Sequence, residues 1–296
     1  MSGERGCCGP GGIARPDQAR ASPSTARGAD AAAMVVIPGG TFRMGCDRRE
    51  GQPNDGEGPS RLVEVGPFAM DAHAVSNARF SRFADATGYV TQAERAGWSF
   101  VFAGLLPDDF APTRGAAAAP WWRQVFGADW RHPEGPHSDV TGRDELPVLH
   151  VAYDDALAFC AWAGKRLPRE AEWERAARGG LEGKRFPWGD EERPNGEHRC
   201  NVWQGTFPAD NTVADGYYGP APVDVFPPNG FGLYNMVGNA WEWCADWFAE
   251  DLRVIRGGSY LCHPSYCWRY RNSARSGSTP DSTTGHMGFR CAADRA

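Results

Sequence analysis

Cys262 and Cys267 lie five residues apart in the segment SYLCHPSYC, residues 259–267, and the chain contains no CxxC pair. Pro264 stands between the two cysteines and prevents an uninterrupted helix. The segment is therefore predicted to form a turn that brings the two sulfurs together. A disulfide closing so short a loop would be strained, easily reduced and a weak stabiliser.

Metal binding is the alternative chemistry for this cysteine pair, and ligand softness decides which metal fits. Thiolates select Cu(I), zinc or iron–sulfur clusters, and the latter two usually take four protein ligands. Because only two thiols are close in sequence, Cu(I) with an open position fits better than zinc, and that position could accept a thiolate from a substrate. Spacing alone leaves a second interpretation open, in which both cysteines are simply buried and His263 is exposed or hydrogen-bonded to backbone.

Side chains that carry oxygen are frequent after Gly180, in a stretch without helical periodicity. Calcium prefers such ligands and loop carbonyls could complete its coordination, although no EF-hand loop is present. Turn formation accounts for Asn and Asp residues as well, and composition alone favours it. The residues are Asn201, Asp210, Asn211, Asp215, Asn229, Asn235, Asn239 and Glu242.

Composition indicates a globular protein with a sizeable core, because 41% of the 296 residues are hydrophobic and 23% are charged. No apolar run approaches the ~18 residues of a membrane-spanning helix, and the N-terminus lacks the apolar stretch of a secretory signal. We therefore expect a cytoplasmic protein with no membrane partner. The 31 Lys and Arg against 37 Asp and Glu give a net charge of -6 without a basic block, so no nucleic-acid partner is expected. The charge gives no sign of an oligomer, and a monomer is expected.

The 12 Trp, 37 Gly and 23 Pro indicate a loop-rich fold with little regular secondary structure, in which large aromatics anchor irregular backbone. Residues 1–33 are rich in small residues and lack aromatics, so they are predicted to be a disordered tail. Residues 34–296 contain no long linker and are predicted to form one domain. Within it, the run MVVIPGGTFRM at 34–44 is predicted to be a hairpin.

Three helices are predicted from caps, apolar spacing and terminating glycines. The first is capped by Ser76 and ends at Gly88, with Phe80, Phe83, Ala84 and Thr87 on one face. The second is capped by Asp154 or Asp155 and ends at Gly164, with Leu157, Cys160 and Ala161 in a stripe. The third runs from Arg169 to Arg178, with Pro168 in its first turn and Gly179-Gly180 after its end.

Six segments, in the same order along the chain, closely resemble the formylglycine-generating enzymes, which form the sulfatase-modifying factor family. The RGGSYLCHPSYC stretch is specific to members with the activity, whereas WEW and GFR occur across the wider superfamily. The resemblance covers nearly everything after residue 33 and implies a single α+β domain of the formylglycine-generating-enzyme and C-type-lectin-like fold. The segments are MVVIPGGTFRMG (34–45), AGKRLPREAEWERAARGG (163–180), NVWQGTFP (201–208), NGFGLYNMVGNAWEWCADW (229–247), RVIRGGSYLCHPSYCWRYR (253–271) and GFRCAAD (288–294).

The activity that this resemblance implies is the oxidation of one cysteine to Cα-formylglycine, with O2 and a copper ion. The cysteine belongs to a Cys-x-Pro-x-Arg motif in an unfolded or nascent sulfatase polypeptide. Cys262 and Cys267 match the two Cu(I) ligands of the family, and the substrate cysteine would be the third sulfur ligand.

Four more positions match active-site residues of the family. Ser259 matches a serine near the substrate thiol, and Trp241 matches a tryptophan that lines the oxygen pocket. Tyr266 and His263 match residues that flank the copper ligands.

Calcium binding is also implied by the resemblance, which reverses the preference for turns that composition gave. One ion would be held by Asn201, the Val202 carbonyl, Asp215 and the Tyr217 carbonyl, and a second by Asn235, the Val237 carbonyl, Asn239 and Glu242.

The chain departs from the family at two places. Of the two disulfides in some secretory-pathway members, only the Cys160–Cys291 pair could exist here, and we expect these thiols to lie in close contact in a reducing cytosol. The short connection at residues 249–252 replaces a longer loop of many relatives, which could alter the reach towards substrate.

Two other functions share this superfamily domain. A non-catalytic C-type-lectin-like binding module is the main alternative, but such paralogues lack the cysteine pair. An iron-dependent sulfoxide synthase needs a histidine-rich iron site, whereas this chain has seven histidines. The cysteine pair therefore favours the copper oxidase.

Overall fold

Short strands joined by long irregular connections make up most of the chain, which a computed structural model describes at residues 30, 32–48 and 50–295. The described strands form three sheets of three or four strands and two two-stranded ribbons. This confirms the predicted α+β, loop-rich fold. The strands are β1 (Met34–Ile37), β2 (Gly40–Met44), β3 (Arg61–Val65), β4 (Phe68–Asp71), β5 (Trp98–Phe102), β6 (Gly115–Ala116), β7 (Ala119–Phe126), β8 (Gly205–Thr206), β9 (Asp210–Asn211), β10 (Trp241–Ala249), β11 (Leu252–Arg256), β12 (Arg275–Ser278), β13 (Met287–Gly288) and β14 (Ala292–Asp294). The helices in these described ranges are α1 (Asn77–Thr87), α2 (Gln92–Ala96), α3 (Tyr153–Trp162) and α4 (Glu170–Arg178).

The helix predictions are confirmed more closely at the C-terminal ends than at the N-terminal ends. α1 buries Phe80 and Phe83 as expected and ends at Gly88, which adopts a left-handed conformation. α3 begins at Tyr153 with Ala152 as its N-cap, so the predicted capping by Asp154 or Asp155 was wrong. Asp155 lies inside the first turn instead, where its carboxylate accepts a hydrogen bond from the Ala152 N–H at 2.8 Å.

The other two helices are short, and in each a glutamate side chain accepts a hydrogen bond from the backbone N–H of the N-cap residue. α4 starts one residue later than predicted, with Arg169 as N-cap, and Glu172 accepts a hydrogen bond from the Arg169 N–H. α2 was not predicted, although Thr91 and Glu94 form a capping box at its start. A helix of five residues is too short to show apolar periodicity, so its cap was the available signal.

The predicted hairpin at 34–44 is wrong, because its two strands belong to different sheets. β1 pairs with β4, and β2 pairs with β3, both antiparallel. Gly39, in the connection between β1 and β2, lies so close to the chain that a Cβ there would stand 2.7 Å from the Pro67 nitrogen. The two runs are strands as expected, but their partners lie farther along the sequence.

The four-stranded sheet separates the two largest apolar clusters of the core. Its order is β12–β11–β10–β13, with β10 antiparallel to β11 and parallel to β13. Trp243 of β10 and Ile255 of β11 are buried in one cluster, while Cys244 and Val254 are buried in the other. Because successive residues of a strand face opposite sides of the sheet, both strands are apolar on both faces. Such strands are held rigidly, and β11 leads directly into the cysteine segment.

Asp30 packs against the domain although it falls within the predicted tail of residues 1–33. Its carboxylate lies 2.5 Å from Arg79 Nη2 and 2.8 Å from Lys165 Nζ. These two cations hold the pKa of Asp30 below its usual value despite burial, which acts to raise it. The tail prediction is therefore wrong at Asp30, and residues 1–29, which include Cys7 and Cys8, lie outside the described part of the chain. No helix in the described ranges has the length and apolarity to span a membrane.

Candidate active site

Two glycines carry the chain from β11 into the cysteine segment. Gly257 and Gly258 have φ values of 94° and 74°, in the left-handed region that side chains disfavour. A Cβ at Gly258 would also stand 2.9 Å from the Arg269 carbonyl oxygen. The start of the segment therefore packs directly against the chain that leaves it, and only glycine permits this approach.

The predicted turn between the two cysteines is confirmed. The His263 carbonyl accepts hydrogen bonds from the N–H groups of Tyr266 and Cys267, both at 3.0 Å. Cys262 and Cys267 are buried, with 2% and 1% of their surface exposed. The turn thus places two thiols in the protein interior, in the same apolar cluster as Trp241.

Cys262 has its own anchors. Its Sγ accepts a hydrogen bond from the Ser259 N–H at 3.4 Å, and its backbone N–H donates to the Ser259 carbonyl at 2.9 Å. Its carbonyl accepts from the Trp203 N–H at 3.1 Å. Trp203 follows Asn201 and Val202, so this bond links the cysteine segment to a predicted calcium site.

A small cavity joins most of the predicted catalytic residues. Its volume is about 10 Å³, which is about the space that one water molecule needs. Five of the six predicted catalytic residues line it, together with four residues to which the sequence analysis gave no role. The lining residues are Trp121, Trp122, Phe207, Trp241, Ser259, Leu261, Cys262, Tyr266 and Cys267.

Aromatic rings form one side of this cavity. The Tyr266 ring stacks on Phe207 at 4.9 Å between centroids and meets the edge of Trp121 at 5.0 Å. All three rings are half-buried. Trp121 and Phe207 come from β7 and from the β8–β9 turn, distant in sequence from the cysteines. The adjacent tryptophans at 121 and 122 were the only local hint of their role.

His263 is the predicted catalytic residue that the structure does not bring to the cavity. Its Nδ1 lies 2.7 Å from Ser265 Oγ and accepts a hydrogen bond from the Ser265 N–H at 3.2 Å. The ring is partly exposed. A direct catalytic contact by His263 is therefore not supported, because the ring is turned towards its own loop.

The donor set at the cavity fits Cu(I) better than other metals. In the described residues, no group of three or more His, Cys, Asp or Glu side chains lies close enough together to hold a metal ion. Two buried thiols remain, and soft thiolates with low coordination suit Cu(I), whereas zinc sites usually need four ligands. Cys262 and Cys267 would hold the ion and leave it open towards the cavity.

The first predicted calcium site fits a cation. The Oδ1 atom of Asn201 is buried without a hydrogen-bond partner among the described residues. The Asp215 carboxylate accepts hydrogen bonds from the N–H of Val202, the residue after Asn201, at 3.1 Å and from the N–H of Tyr217 at 3.0 Å. Burial raises the pKa of Asp215, so a positive charge beside the carboxylate would favour its ionised form. A calcium ion would supply that charge and a partner for Asn201 Oδ1.

The second predicted calcium site does not fit as well, and two of its proposed ligands are already used. Both oxygens of Glu242 pair with Arg290, at 2.7 and 2.8 Å, and Oε2 also accepts from the Trp173 indole at 2.7 Å. Asn239 Oδ1 accepts hydrogen bonds from Asn201 Nδ2 and the Ala221 N–H. Of this set, Asn235 Oδ1 is buried without a partner in the described structure. In this structure Glu242 is an ion-pair residue.

The arginines around the cysteine segment pair mainly with buried acids, so their charges are largely neutralised within the protein. Arg256 and Arg290 are completely buried in ion pairs. Arg253 differs, since its guanidinium lies 3.4 Å from the centre of the exposed Trp247 ring. The acid partners are Glu170 and Glu174 for Arg256, Asp55 for Arg269, Glu57 for Arg271, Glu170 for Arg275 and Glu242 for Arg290.

The close contact predicted for Cys160 and Cys291 is confirmed. Their Sγ atoms are 3.6 Å apart, and both residues are buried. Burial raises the pKa of the Cys291 thiol well above its usual value. Both cysteines are free in this structure, with their sulfurs in contact.

Comparison with known proteins agrees with this fold and identifies the family. Residues 18–295 match the family model described as "Sulfatase-modifying factor enzyme 1-like domain". A Thermomonospora curvata protein named "Formylglycine-generating enzyme" is 55% identical over 282 residues, covering 88% of this chain and 93% of that relative. A Bos taurus protein named "Inactive C-alpha-formylglycine-generating enzyme 2" is 48% identical over 267 residues, covering 88% and 87%. The structure of PvdO from Pseudomonas aeruginosa is similar with a TM-score of 0.64 at 28% identity, covering 88% of this chain and 94% of that one. The chain belongs to the sulfatase-modifying factor enzyme 1-like family.

Proposed function

We propose that this protein is a copper-dependent oxidase that converts the cysteine of a Cys-x-Pro-x-Arg motif in a sulfatase to Cα-formylglycine, with O2 as oxidant. The observation that carries the proposal is the cavity in which Ser259, Trp241 and Tyr266 meet the two buried thiols of Cys262 and Cys267. The name of the Thermomonospora curvata relative points to the same product. A relative named as inactive is nearly as similar, so overall likeness supports the family and the cysteine pair supports catalysis.

Cys262 and Cys267 hold the copper ion in this proposal and leave one position for the substrate thiolate. Copper, when bound, supplies the centre at which the substrate thiolate and O2 exchange electrons. The two protein thiolates favour the reduced state of the metal because they are soft ligands. In this proposal O2 enters at the small cavity beside them.

The remaining lining residues orient the substrate and exclude water. The Ser259 Oγ accepts a hydrogen bond from the Leu261 N–H at 3.3 Å, so its own hydrogen is left to donate towards a substrate sulfur. Trp241 is 1% exposed and presents an apolar wall. The rings of Trp121, Phe207 and Tyr266 would close the cavity around an inserted cysteine.

The overall reaction balances with one further reactant. The substrate Cβ–S bond breaks, Cβ gains the aldehyde oxygen, and the sulfur leaves as hydrogen sulfide. O2 accepts four electrons, two from the substrate carbon and two from a thiol reductant that becomes a disulfide. The two oxygen atoms taken up as O2 are matched in the products by the oxygen of the aldehyde and the oxygen of one water molecule.

The partners and compartment in this proposal follow the sequence analysis. The substrate is an unfolded or nascent sulfatase polypeptide, because a folded one would not present its cysteine to a cavity of this size. The protein acts as a monomer in the cytoplasm, and calcium at the site of Asn201 and Asp215 stabilises the loops that carry the cavity.

The decisive experiment is conversion of a Cys-x-Pro-x-Arg peptide in the presence of Cu(I), O2 and a thiol reductant, followed by mass spectrometry. Formylglycine lowers the peptide mass by about 18 Da. We expect Cys262→Ser and Cys267→Ser to abolish conversion and tight Cu(I) uptake, while Cys46→Ser, outside the cavity, leaves both intact. Conversion by either cavity variant at the parent's rate would overturn the proposal, and a parent that converts no peptide would leave the non-catalytic binding module as the better description.

A further inference from the structure

Two buried acids in the loop before β3 pair with two arginines directly after the cysteine segment. Asp55 accepts from Arg269 Nε at 2.5 Å and Nη2 at 3.0 Å, and Glu57 accepts from Arg271 Nη1 and Nη2, both at 2.7 Å. Each pair is bidentate, the most directional form of this contact. We call Asp55 and Glu57 the acidic pair.

The spacing within the acidic pair matches the spacing of its partners. Asp55 and Glu57 are two residues apart, as are Arg269 and Arg271, and the pairs form in the same order along both segments. Arg269 follows Cys267 by two residues and Arg271 by four. The acidic pair therefore fixes the chain immediately after the second thiol of the cavity.

The loop that carries the acidic pair is itself fixed to α4. The Cys46 N–H donates to the Glu57 carbonyl at 2.9 Å and closes the loop at its base. At the neighbouring Gly45, the N–H donates to Glu174 Oε1 at 2.7 Å and the carbonyl accepts from Arg178 Nη2 at 3.0 Å. Glu174 and Arg178 are buried residues of α4. Movement of the acidic pair is thus limited by a helix of the core.

Stability alone does not explain three buried charges and a fourth, on Arg269, that is largely buried. Desolvation of both partners offsets most of the attraction in a buried ion pair, and apolar residues of similar volume often stabilise as well. Arg271 is 1% exposed and Glu57 7%, so the desolvation is nearly complete. What two bidentate pairs supply is a defined position, because planar guanidinium and carboxylate groups fit in one orientation.

The two cysteines share the turn at His263, whose carbonyl accepts from the Cys267 N–H, and differ in their other anchors. Cys262 is held by Ser259 and by the bond from Trp203, neither of which involves the acidic pair. Cys267 is followed by Trp268, whose carbonyl accepts from Arg271 Nε at 2.9 Å. Loss of the acidic pair should therefore loosen Cys267 and leave Cys262 in place.

We propose that Asp55 and Glu57 are positioning residues that hold Cys267, through Arg269 and Arg271, at the distance from Cys262 that Cu(I) binding requires. The inference rests on the proposed copper function for its purpose. Its structural part, that the acidic pair fixes Cys267 and not Cys262, stands independently.

The test compares Asp55→Asn and Glu57→Gln with Glu172→Gln. Glu172 makes a bidentate pair with Arg166, at 2.7 and 2.8 Å, at the start of α4, and serves as the matched control. The copper-free proteins are alkylated with iodoacetamide, and the rates at Cys262 and Cys267 are measured separately by peptide mass spectrometry. Cu(I) affinity is measured by competition with a chromogenic chelator, and melting temperatures record general stability.

We expect the two test variants to raise the Cys267-to-Cys262 alkylation ratio and to weaken Cu(I) binding, each by about tenfold, because a buried pair that loses one partner is disrupted strongly. Glu172→Gln should change neither quantity. Glu57→Asp, which keeps the charge and shortens the reach by one methylene, should fold where Glu57→Gln does not and should show a smaller change in the same direction.

Three outcomes would overturn the inference: an unchanged alkylation ratio in folded variants, equal acceleration at both cysteines, or the same effect in Glu172→Gln. A parent protein without tight Cu(I) uptake would instead overturn the proposed function, and the alkylation ratio would still decide whether the acidic pair positions Cys267.

Discussion

Backbone conformation at single residues shapes the candidate site before any side chain contributes. Gly258 combines a left-handed φ of 74° with a contact that leaves no room for a Cβ. Gly88, at the end of α1, has a similar φ of 65° but nothing within 4 Å of its Cβ position. Comparing alanine substitutions at these two glycines therefore separates the free-energy cost of the left-handed backbone from the cost of the steric contact.

Gly258→Ala should destabilise the protein by about 1–3 kcal/mol more than Gly88→Ala does, because it adds a clash with the Arg269 carbonyl to the same backbone strain. The free energies of unfolding from urea titrations measure this difference. Peptide conversion should fall in Gly258→Ala and stay unchanged in Gly88→Ala, and equal losses in both variants would contradict the role assigned to the close contact.

Two buried histidines give the fold a dependence on pH. Burial lowers the pKa of His150 to about 4 and that of His286 to about 3. His286 also packs on Trp122 of the cavity, at 4.5 Å between ring centroids, with its Nδ1 2.7 Å from Thr284 Oγ1. Both rings are neutral in the folded protein over a range in which the unfolded chain is protonated. Asp155 acts in the opposite direction, because burial raises its pKa to about 6.

His286→Asn should reduce the loss of stability on acidification. Below about pH 6.5 the unfolded chain binds a proton on each histidine, whereas the folded ring of His286 binds none until about pH 3. Stability from this residue is therefore complete above pH 6.5 and is lost as the pH falls through that window, at about 1.4 kcal/mol per pH unit. Urea titrations between pH 4 and 6.5 should show a slope smaller by about that amount in the variant, and an unchanged slope would show that the ring is protonated when folded.

At the scale of elements, the loops between residues 200 and 240 depend on polar contacts more than on hydrogen-bonded strands. Gln204 bridges the segment, since its Nε2 donates to the Val202 carbonyl and its Oε1 accepts from the Asp215 N–H, both at 2.8 Å. The same stretch reaches the cysteine segment through the Trp203 N–H. An ion at Asn201 and Asp215 would therefore stiffen a connection that ends at Cys262.

Calcium in excess should raise the melting temperature of the protein, and Asp215→Ala should abolish that rise. Binding to the folded state alone stabilises by about 2.7 kcal/mol at a hundredfold excess over the dissociation constant. Asp210→Ala, at an exposed position of β9, is the matched control and should retain the response. A melting temperature that does not respond to calcium and chelator in the parent would argue against the site.

Sequence reasoning succeeded for elements whose signal is local and failed where the partner is distant. Gly88 and Gly179 mark helix ends because a left-handed residue is needed there, and the sequence shows this directly. The Pro38-Gly39-Gly40 run indicated a turn, but nothing local says that β1 pairs with β4. In the candidate site, the turn around Pro264 follows from proline chemistry. The contributions of Trp121 and Phe207 depend on tertiary packing, which the cysteine segment does not encode.

At the scale of the whole molecule, two thiols 131 residues apart in sequence join α3 to the end of the chain. Cys160 lies in α3 and Cys291 directly precedes β14, which pairs with β4. A covalent link here would close about half of the domain into one loop.

Oxidation of the copper-free protein should form a Cys160–Cys291 disulfide and raise its melting temperature. In the chain-entropy account, closing a loop of more than 100 residues stabilises by about 4–5 kcal/mol. Peptide mapping without reductant identifies the bond, and Cys160→Ser should lack both the cross-link and the rise. A different cysteine pairing, or a lower melting temperature after oxidation, would contradict this expectation.

The position of Asp30 sets where a shortened version of this protein can begin. Arg79 and Lys165 are largely buried and share two carboxylates, Asp30 and Asp71. Removal of everything before Met34, where β1 starts, would leave two cations with one anion in a poorly hydrated place. Trimming or tagging should therefore preserve the acid four residues upstream of the first strand, even though it belongs to no helix or sheet.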